Sequence, residues 1–209
     1  MSRRYVILTV LCSVCLIASN LFETKIFAAG PLTLTGGLLI FPISYILNDC
    51  ITEIWRFRNA RFTIATAFFM NLFVVGVAQI VRILPPETFW NGQEHFDYIF
   101  AADLRITAAS MLAFLVGSLT NSLILDKMHR KAGHDEGFGW RAVLSTLGGE
   151  SVDSVIFFPI AFWGVGFRNM LIMMVTQIIL KTMYEVIILP VTSMAVRRLR
   201  QAEATDSEL

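Results

Sequence analysis

Ionisable side chains interrupt several long apolar stretches of this sequence. Asp49 and Glu53 lie four residues apart in one stretch, so they share a helical face, and Tyr45 lies one turn earlier on that face. An ionised group at the centre of a bilayer costs roughly 2.5–3.5 kcal/mol on insertion scales, and such groups normally face a cavity or a partner. These side chains therefore predict a polar site among apolar walls.

Two later apolar stretches carry polar and charged side chains in the same pattern. Glu150 and Asp153 lie three residues apart behind two glycines, and Gln177, Lys181 and Glu185 follow one another at intervals of four. Carboxylates, amides and one lysine among apolar walls suit a small planar ligand rich in hydrogen-bond donors. The predicted substrate-binding residues are Asn20, Tyr45, Asp49, Glu53, Glu150, Asp153, Gln177, Lys181 and Glu185.

Two of these groups have a second interpretation that the sequence leaves open. Lys181 and Glu185 are spaced to form an ion pair within one helix that merely packs against a neighbour. Glu53 is followed closely by Arg56 and Arg58, so it can also mark the end of a helix at the membrane surface.

Several other kinds of chemistry are not expected. The three histidines, His95, His129 and His134, fall outside the apolar stretches, so they form no predicted metal site. The chain has no G-x-x-x-x-G-K loop for a nucleotide phosphate and no H-E-x-x-H or Ser/His/Asp arrangement. Because the basic residues form no single patch, nucleic acid is not an expected partner. We predict a protein that is not an enzyme and binds no cofactor or metal.

Six apolar stretches of roughly twenty residues must position the polar groups, and that is the length of a helix that crosses a bilayer. Of the 209 residues, 56% are hydrophobic and 16% are charged, whereas soluble domains have about a quarter charged residues. We predict an all-α integral membrane protein with six transmembrane helices in one domain over residues 1–209. The predicted spans cover about residues 5–22, 27–47, 62–84, 106–125, 142–163 and 170–196.

The basic residues predict the orientation, because Lys and Arg are enriched in cytoplasmic loops. With both termini in the cytoplasm, twelve of the seventeen Lys and Arg lie on that side and four lie outside. The twelve are Arg3, Arg4, Arg56, Arg58, Arg61, Lys127, Arg130, Lys131, Arg141, Arg197, Arg198 and Arg200.

A faint internal similarity relates the two halves of the chain. At an offset of 101 residues, Asn20 corresponds to Asn121, and Asp49 corresponds to Glu150. Halves with three spans each would be inverted in the membrane, as in many transporters. Two inverted three-helix repeats and a chance alignment of a few polar residues both stay open.

Four segments, spread along nearly the whole chain, form a recognisable combination. They are Ser19-Asn20 with Lys25, Phe41-Pro42-Ile43-Ser44-Tyr45 through Asp49 to Glu53, Arg105 to Ser110, and Ser145-Thr146 through Asp153 to Phe157. Together they resemble the six-helix membrane proteins of the queuosine precursor transporter family, formerly described as vitamin uptake transporters. The resemblance implies import of 7-cyano- and 7-aminomethyl-7-deazaguanine across the inner membrane, with the lipid bilayer and the base as partners.

The chain departs from the family pattern at two places. Glu53 is followed by Ile54-Trp55-Arg56, where a glycine-containing stretch is common, and Glu150 stands where an amide is frequent. The second difference leaves the range of substrates open.

Two alternative functions remain at this stage. Specificity subunits of energy-coupling importers are also six-helix proteins of about this size, and such a subunit would need an ATPase partner. A non-transporting membrane scaffold or enzyme would use the polar stripes for helix association instead. The preferred precursor, the energy source and the formation of a homodimer also stay open.

Overall fold

The structure is a bundle of long helices with one short β-hairpin. The computed structural model describes residues 2–22, 24–29, 32–100, 104–132, 137–161, 163–164 and 166–207. Within these residues, five helical segments are long and apolar enough to cross a membrane, which confirms a helical multi-pass membrane protein. The elements are α1 (Arg3–Phe22), β1 (Ile26–Ala29), β2 (Leu32–Thr35), a 3-10 turn (Gly36–Leu39), α2 (Phe41–Arg82), α3 (Gln93–Phe100), α4 (Leu104–Ala132), α5 (Phe138–Ala161) and α6 (Phe167–Ser207).

Helix α2 is two antiparallel arms that meet at Arg56. A straight helix of its 42 residues would be about 63 Å long, twice the thickness of the hydrocarbon core. Arg56 breaks it with φ 71° and ψ 168°, a positive φ that residues other than glycine seldom adopt. Residues further along α1 contact residues further along the second arm. Their contacts in the first arm, and just before it, instead fall at decreasing residue numbers, so the two arms run in opposite directions. The contacts are Tyr5 Oη to Asn59 O, Asn20 Nδ2 to Asn71 Oδ1, Cys12 Sγ to Ser44 O and Ser19 Oγ to Gly37 O.

The second predicted span differs from the structure at its beginning. The sequence assigned residues 27–47 to one span, but Ile26–Ala29 and Leu32–Thr35 pair as the antiparallel strands β1 and β2 instead. The alternating Leu-Thr-Leu-Thr of β2 suits a strand, yet it is apolar enough to resemble a span by hydropathy. The first arm therefore begins at Phe41 and places Pro42 in its first turn, where the missing N–H costs no helical hydrogen bond.

Small apolar clusters join α1, both arms of α2 and α4. Leu16, Ile64, Ala67 and Phe114 form one buried cluster between α1, the second arm and α4. In a bilayer, helices associate by such close packing and by hydrogen bonds rather than by the hydrophobic effect. The hydroxyl pair of Thr9 and Thr63, 2.9 Å apart, adds one such bond between α1 and the second arm.

Two glycines allow α4 and α5 to pack closely. A Cβ atom on Gly149 would lie 2.7 Å from Asn121 Cβ and 2.9 Å from Gly117 O, and a Cβ atom on Gly117 would lie 2.9 Å from Asp153 Cβ. Larger residues at either position would push the helices apart. This contact brings Asn121 of α4 and Asp153 of α5 to the same level of the bundle.

Both termini lie at one end of the bundle. Arg4 Nη1 is 3.3 Å from Glu203 Oε1, and Ser2 Oγ donates a hydrogen bond to the same carboxylate. The membrane side on which this end lies, and the relation of the two halves as inverted repeats, stay predictions.

Replacing Gly149 by valine should destabilise the bundle, because the added side chain meets backbone and Cβ atoms of α4. Overpacking of this kind typically costs about 1–3 kcal/mol. The matched control is Gly76→Ala in α2, where an added Cβ meets nothing within 4 Å and should be neutral or slightly stabilising. The melting temperature of detergent-purified protein measures both changes. A Gly149→Val protein as stable as Gly76→Ala would contradict this account of the α4–α5 contact.

Candidate substrate site

Six of the nine predicted site residues meet where the first arm of α2, α5 and α6 come together. Each is buried, with at most 8% of its surface exposed. Asn121 of α4 joins them, because its Nδ2 donates a 2.6 Å hydrogen bond to Asp49 Oδ1. We call the set the central cluster: Tyr45, Asp49, Asn121, Glu150, Asp153, Lys181 and Glu185.

Lys181 is the cation of the central cluster. Its Nζ lies 2.8 Å from Glu150 Oε2 and 3.5 Å from Asp153 Oδ2, so the lysine pairs across helices and not only within its own. The same Nζ lies 4.2 Å from the centroid of the Phe41 ring, within the range of a cation–π contact. Lys181 thus ties α6 to both α5 and α2.

The carboxyl groups of the central cluster outnumber its cation. Asp49, Glu150, Asp153 and Glu185 are all buried there, against one lysine. The side chains of Asp49 and Glu185 lie beside each other. Two neighbouring carboxyl groups share a proton or attract a donor or a cation, since both cannot be ionised without strong repulsion.

Buried polar atoms without partners are concentrated at this site. Most buried polar atoms in proteins have a hydrogen-bond partner, so each exception needs an explanation. The described residues around the central cluster contain several exceptions, which include both acceptors and a hydroxyl donor. They are Asp49 Oδ2, Asn121 Oδ1, Ser154 Oγ and Glu185 Oε2. Together they can bind a ligand that carries several donors and acceptors.

Aromatic rings form a layer beside the charges. The Phe41 ring centroid lies 5.4 Å from that of Tyr45 and 6.5 Å from that of Phe114. Because Lys181 lies over one face of Phe41, the layer is in direct contact with the central cluster. Such rings offer a flat ligand a surface on which to stack.

Three of the predicted site residues lie outside the central cluster, and two of them, Asn20 and Gln177, belong to neither cluster of buried charges. Asn20 donates its hydrogen bond to Asn71 Oδ1 at 2.9 Å, beside a separate cavity near the end of α1. Gln177 is half-buried one turn before Lys181, and its side chain has no hydrogen bond within the described part of the chain.

Glu53 belongs to a second buried cluster and not to the central one. Its Oε1 accepts hydrogen bonds from Arg141 Nη2 at 2.6 Å and Arg200 Nη2 at 2.9 Å. His129 Nδ1 lies 2.9 Å from its Oε2. The Glu53 side chain is 0% exposed, so it does not end its helix at an open surface beside Arg56. Its partners come from α4, α5 and α6, so it holds four helices together.

Asp126 extends this second cluster to the reversal of α2. Its carboxylate lies 3.0 Å from Arg56 Nε and 2.9 Å from Arg130 Nε, and it accepts a hydrogen bond from Phe57 N. These contacts stabilise the unusual backbone at Arg56. We call the two acidic residues and their partners the terminal cluster, since it lies at the end of the bundle that contains both termini: Glu53, Arg56, Asp126, His129, Arg130, Arg141 and Arg200.

The sequence analysis did not identify three important residues of these clusters as such. Asn121 was noted as the counterpart of Asn20 in the internal similarity but was not placed in the predicted site. His129 was expected in a loop, and Arg141 was taken only as a topology signal, but both are buried. Their contacts with Glu53 span a long stretch of sequence, so no local spacing predicts them.

Comparison with known proteins agrees with this arrangement. A family model described as "Putative vitamin uptake transporter" matches residues 35–195. Over 134 residues the chain is 29% identical to "Probable queuosine precursor transporter" of Haemophilus influenzae (strain ATCC 51907 / DSM 11121 / KW20 / Rd). That match covers 62% of this chain and 52% of the relative, so the chain spans about half of the relative's length. No solved structure matches.

A multi-pass helical bundle with a buried, incompletely neutralised charge cluster is typical of membrane transporters. The match over most of the chain then identifies the family: the protein belongs to the vitamin uptake transporter family, which the family model describes as putative.

Replacing Glu53 by glutamine should destabilise the protein strongly, because Arg141 would remain buried beside a neutral group. Removing one partner of a buried ion pair typically costs about 3–5 kcal/mol. Arg200 is 36% exposed, so its share of this cost should be small. The control is Glu87→Gln, which neutralises an exposed carboxylate whose bonds are to neighbouring Thr88 alone. Equal melting temperatures for the two variants would show that the terminal cluster does not stabilise the fold.

Proposed function

We propose that this protein imports 7-deazaguanine precursors of queuosine across the inner membrane and binds them at the central cluster. The observation that carries the proposal is the excess of buried carboxyl groups, with unpartnered polar atoms around Asp49 and Glu185. Family membership and the name of the Haemophilus influenzae relative support the same class of substrate.

The polar edge of the base accounts for part of the central cluster. A guanine-like edge presents N1–H and an exocyclic amine, for which one carboxylate is a two-point acceptor. Asp49 or Glu185 supplies that carboxylate, since each has an oxygen without a partner. Lys181 supplies a donor to the ring carbonyl. The flat ring stacks on Phe41 or Tyr45, which contributes on the order of 1–3 kcal/mol.

The substituent at position 7 of the base accounts for a second carboxylate of the central cluster. An aminomethyl group is a cation and would take Asp153, whose distance from Lys181 is the longer of the two pairs. A cyano group carries no charge and needs no such carboxylate. Both precursors therefore bind through the same ring edge, and they differ in their dependence on Asp153.

The orientation belongs to the same proposal. Arg4, Arg56, Arg130, Arg141 and Arg200 lie at the end of the bundle that contains the termini. Since basic residues favour the cytoplasmic side, we assign this end to the cytoplasm. The two arms of α2 cross separately, which gives six spans in a single domain with both termini inside.

Replacing Asp49 by asparagine should lower uptake of both bases, whereas Asp153→Asn should lower uptake of the aminomethyl base more than that of the cyano base. A lost charged hydrogen bond corresponds to about a tenfold effect or more. The assay uses cells unable to make either precursor and measures queuosine in their tRNA. Glu94→Gln on the exposed face of α3 is the control and should leave uptake unchanged.

Three results would contradict parts of this proposal. Equal restoration of queuosine by wild type and by an Asp49→Asn, Asp153→Asn double variant would remove the central cluster as the site. Uptake by purified protein in liposomes that requires an added ATPase subunit and ATP would make the chain a specificity subunit instead. Failure of wild type to restore queuosine would reject the substrate.

A further inference from the structure

A cavity, separate from the central cluster, lies in the half of the bundle opposite the terminal cluster. It has a volume of about 260 Å³ and is enclosed by α1, the second arm of α2, α3, α4 and α5. Ligand pockets usually measure about 300–1,000 Å³, so this one suits a small ligand such as a single heterocyclic base. The lining contains no ionisable side chain among the described residues. Its polar lining includes Asn20, Asn71, Gln79 and Ser110.

The amides of this cavity are fixed in position but incompletely used. Asn20 Nδ2 donates to Asn71 Oδ1 at 2.9 Å, and Gln79 Nε2 donates to Phe100 O at 2.8 Å. Asn71 is only 2% exposed, and burying such an amide without partners is unfavourable. Within the described part of the chain, Asn20 Oδ1, Asn71 Nδ2 and Gln79 Oε1 have no hydrogen-bond partner. Each amide therefore offers a ligand an acceptor or a donor.

An aromatic layer separates this cavity from the central cluster. Phe157, which lines the cavity, follows Asp153 by one helical turn. Ser110 lines it one turn before Phe114, whose ring contacts Phe41. The opposite end of the bundle is closed by the ion pairs of the terminal cluster. The cavity thus lies toward the end opposite the terminal cluster, next to the central cluster.

We propose that this cavity is a second, uncharged binding site for the heterocyclic base, which the base occupies before it passes the aromatic layer to the central cluster. The inference rests on the proposed function and adds a site to it. Amides read the donors and acceptors of the ring, which the two precursors share. The cavity therefore binds both precursors alike, and the distinction by charge is left to the central cluster.

The amides of the lining favour a base over a lipid chain as the ligand of this cavity. A hydrocarbon chain would satisfy the apolar walls, but it would leave Asn71 Nδ2 without an acceptor. A base would satisfy both. Replacing the amide by an apolar group of similar size therefore weakens binding of a base and does not weaken binding of a lipid chain.

The test measures binding of radiolabelled 7-cyano-7-deazaguanine to the purified full chain by equilibrium dialysis. Wild type should bind two bases, and the Asp49→Asn, Asp153→Asn double variant should retain one. In that background Ala78→Phe, which fills the cavity, should weaken the remaining binding at least tenfold. Asn71→Leu should weaken it about three- to tenfold.

Two matched controls test whether an added ring, or the loss of an amide, weakens binding when it lies outside the cavity. Val77→Phe adds a ring to the same helix at a position that is 40% exposed and outside the cavity lining. Asn59→Leu removes an amide of the second arm whose hydrogen bond is to Trp55 O, far from the cavity. Both should leave binding unchanged, and melting temperatures verify that every variant is folded. If Ala78→Phe does not fold, Gln79→Leu replaces it and should weaken binding as Asn71→Leu does.

The outcomes separate this inference from the proposed function. If wild type binds one base and the double variant binds none, the outer site does not exist while the central site stands. If Ala78→Phe weakens binding but Asn71→Leu does not, the cavity takes an apolar occupant and the inference is wrong. If wild type binds no base at all, the proposed function fails together with this inference.

Discussion

Carboxylates that are buried inside an apolar bundle need cations, hydrogen-bond donors or a ligand beside them, and the rest of this structure depends on how that need is met. The terminal cluster meets this demand fully, since Glu53 is surrounded by two arginines and a histidine from three other helices. The central cluster does not, because its four buried carboxyl groups are accompanied by one lysine, which pairs with Glu150 and Asp153. A satisfied network rigidifies a fold, whereas a partly satisfied one is costly unless something binds to it. Buried carboxylates therefore stabilise the fold in the terminal cluster, whereas those of the central cluster are still available to a ligand.

Two backbone features make these clusters geometrically possible. The reversal at Arg56 turns α2 back on itself, so that the first arm can face α4 while the second arm packs along α1. The paired glycines at Gly117 and Gly149 then let α4 and α5 approach closely, so that Asn121, the donor to Asp49, lies at the same level as Asp153. Neither feature carries charge, but each determines which charges can meet.

The sequence predicted those parts of the site that follow from helical spacing. Tyr45 with Asp49 and Glu150 with Asp153 share faces because of local geometry, and the structure brings both pairs together. Glu53 has the same spacing from Asp49, but it lies one turn nearer the end of its helix, where distant arginines become its partners. The pairing of β1 with β2 was missed because hydropathy does not distinguish an apolar strand from part of an apolar helix. Spacing thus predicts faces, while partners depend on contacts between distant segments.

Helix α6 connects the two clusters mechanically. It contributes Lys181 and Glu185 to the central cluster and Arg200 to the terminal cluster, and its C-terminal part also contacts Arg4 through Glu203. Only 11% of the most apolar stretch of this helix is buried within the protein. These polar contacts therefore hold α6 to the bundle more than apolar packing does. A helix rises 1.5 Å per residue, which puts Arg200 about 28 Å from Lys181 along one continuous helix, with Pro190 between them. Any ligand that changes the charge balance at Lys181 therefore acts on the same helix that contributes Arg200 to the terminal cluster.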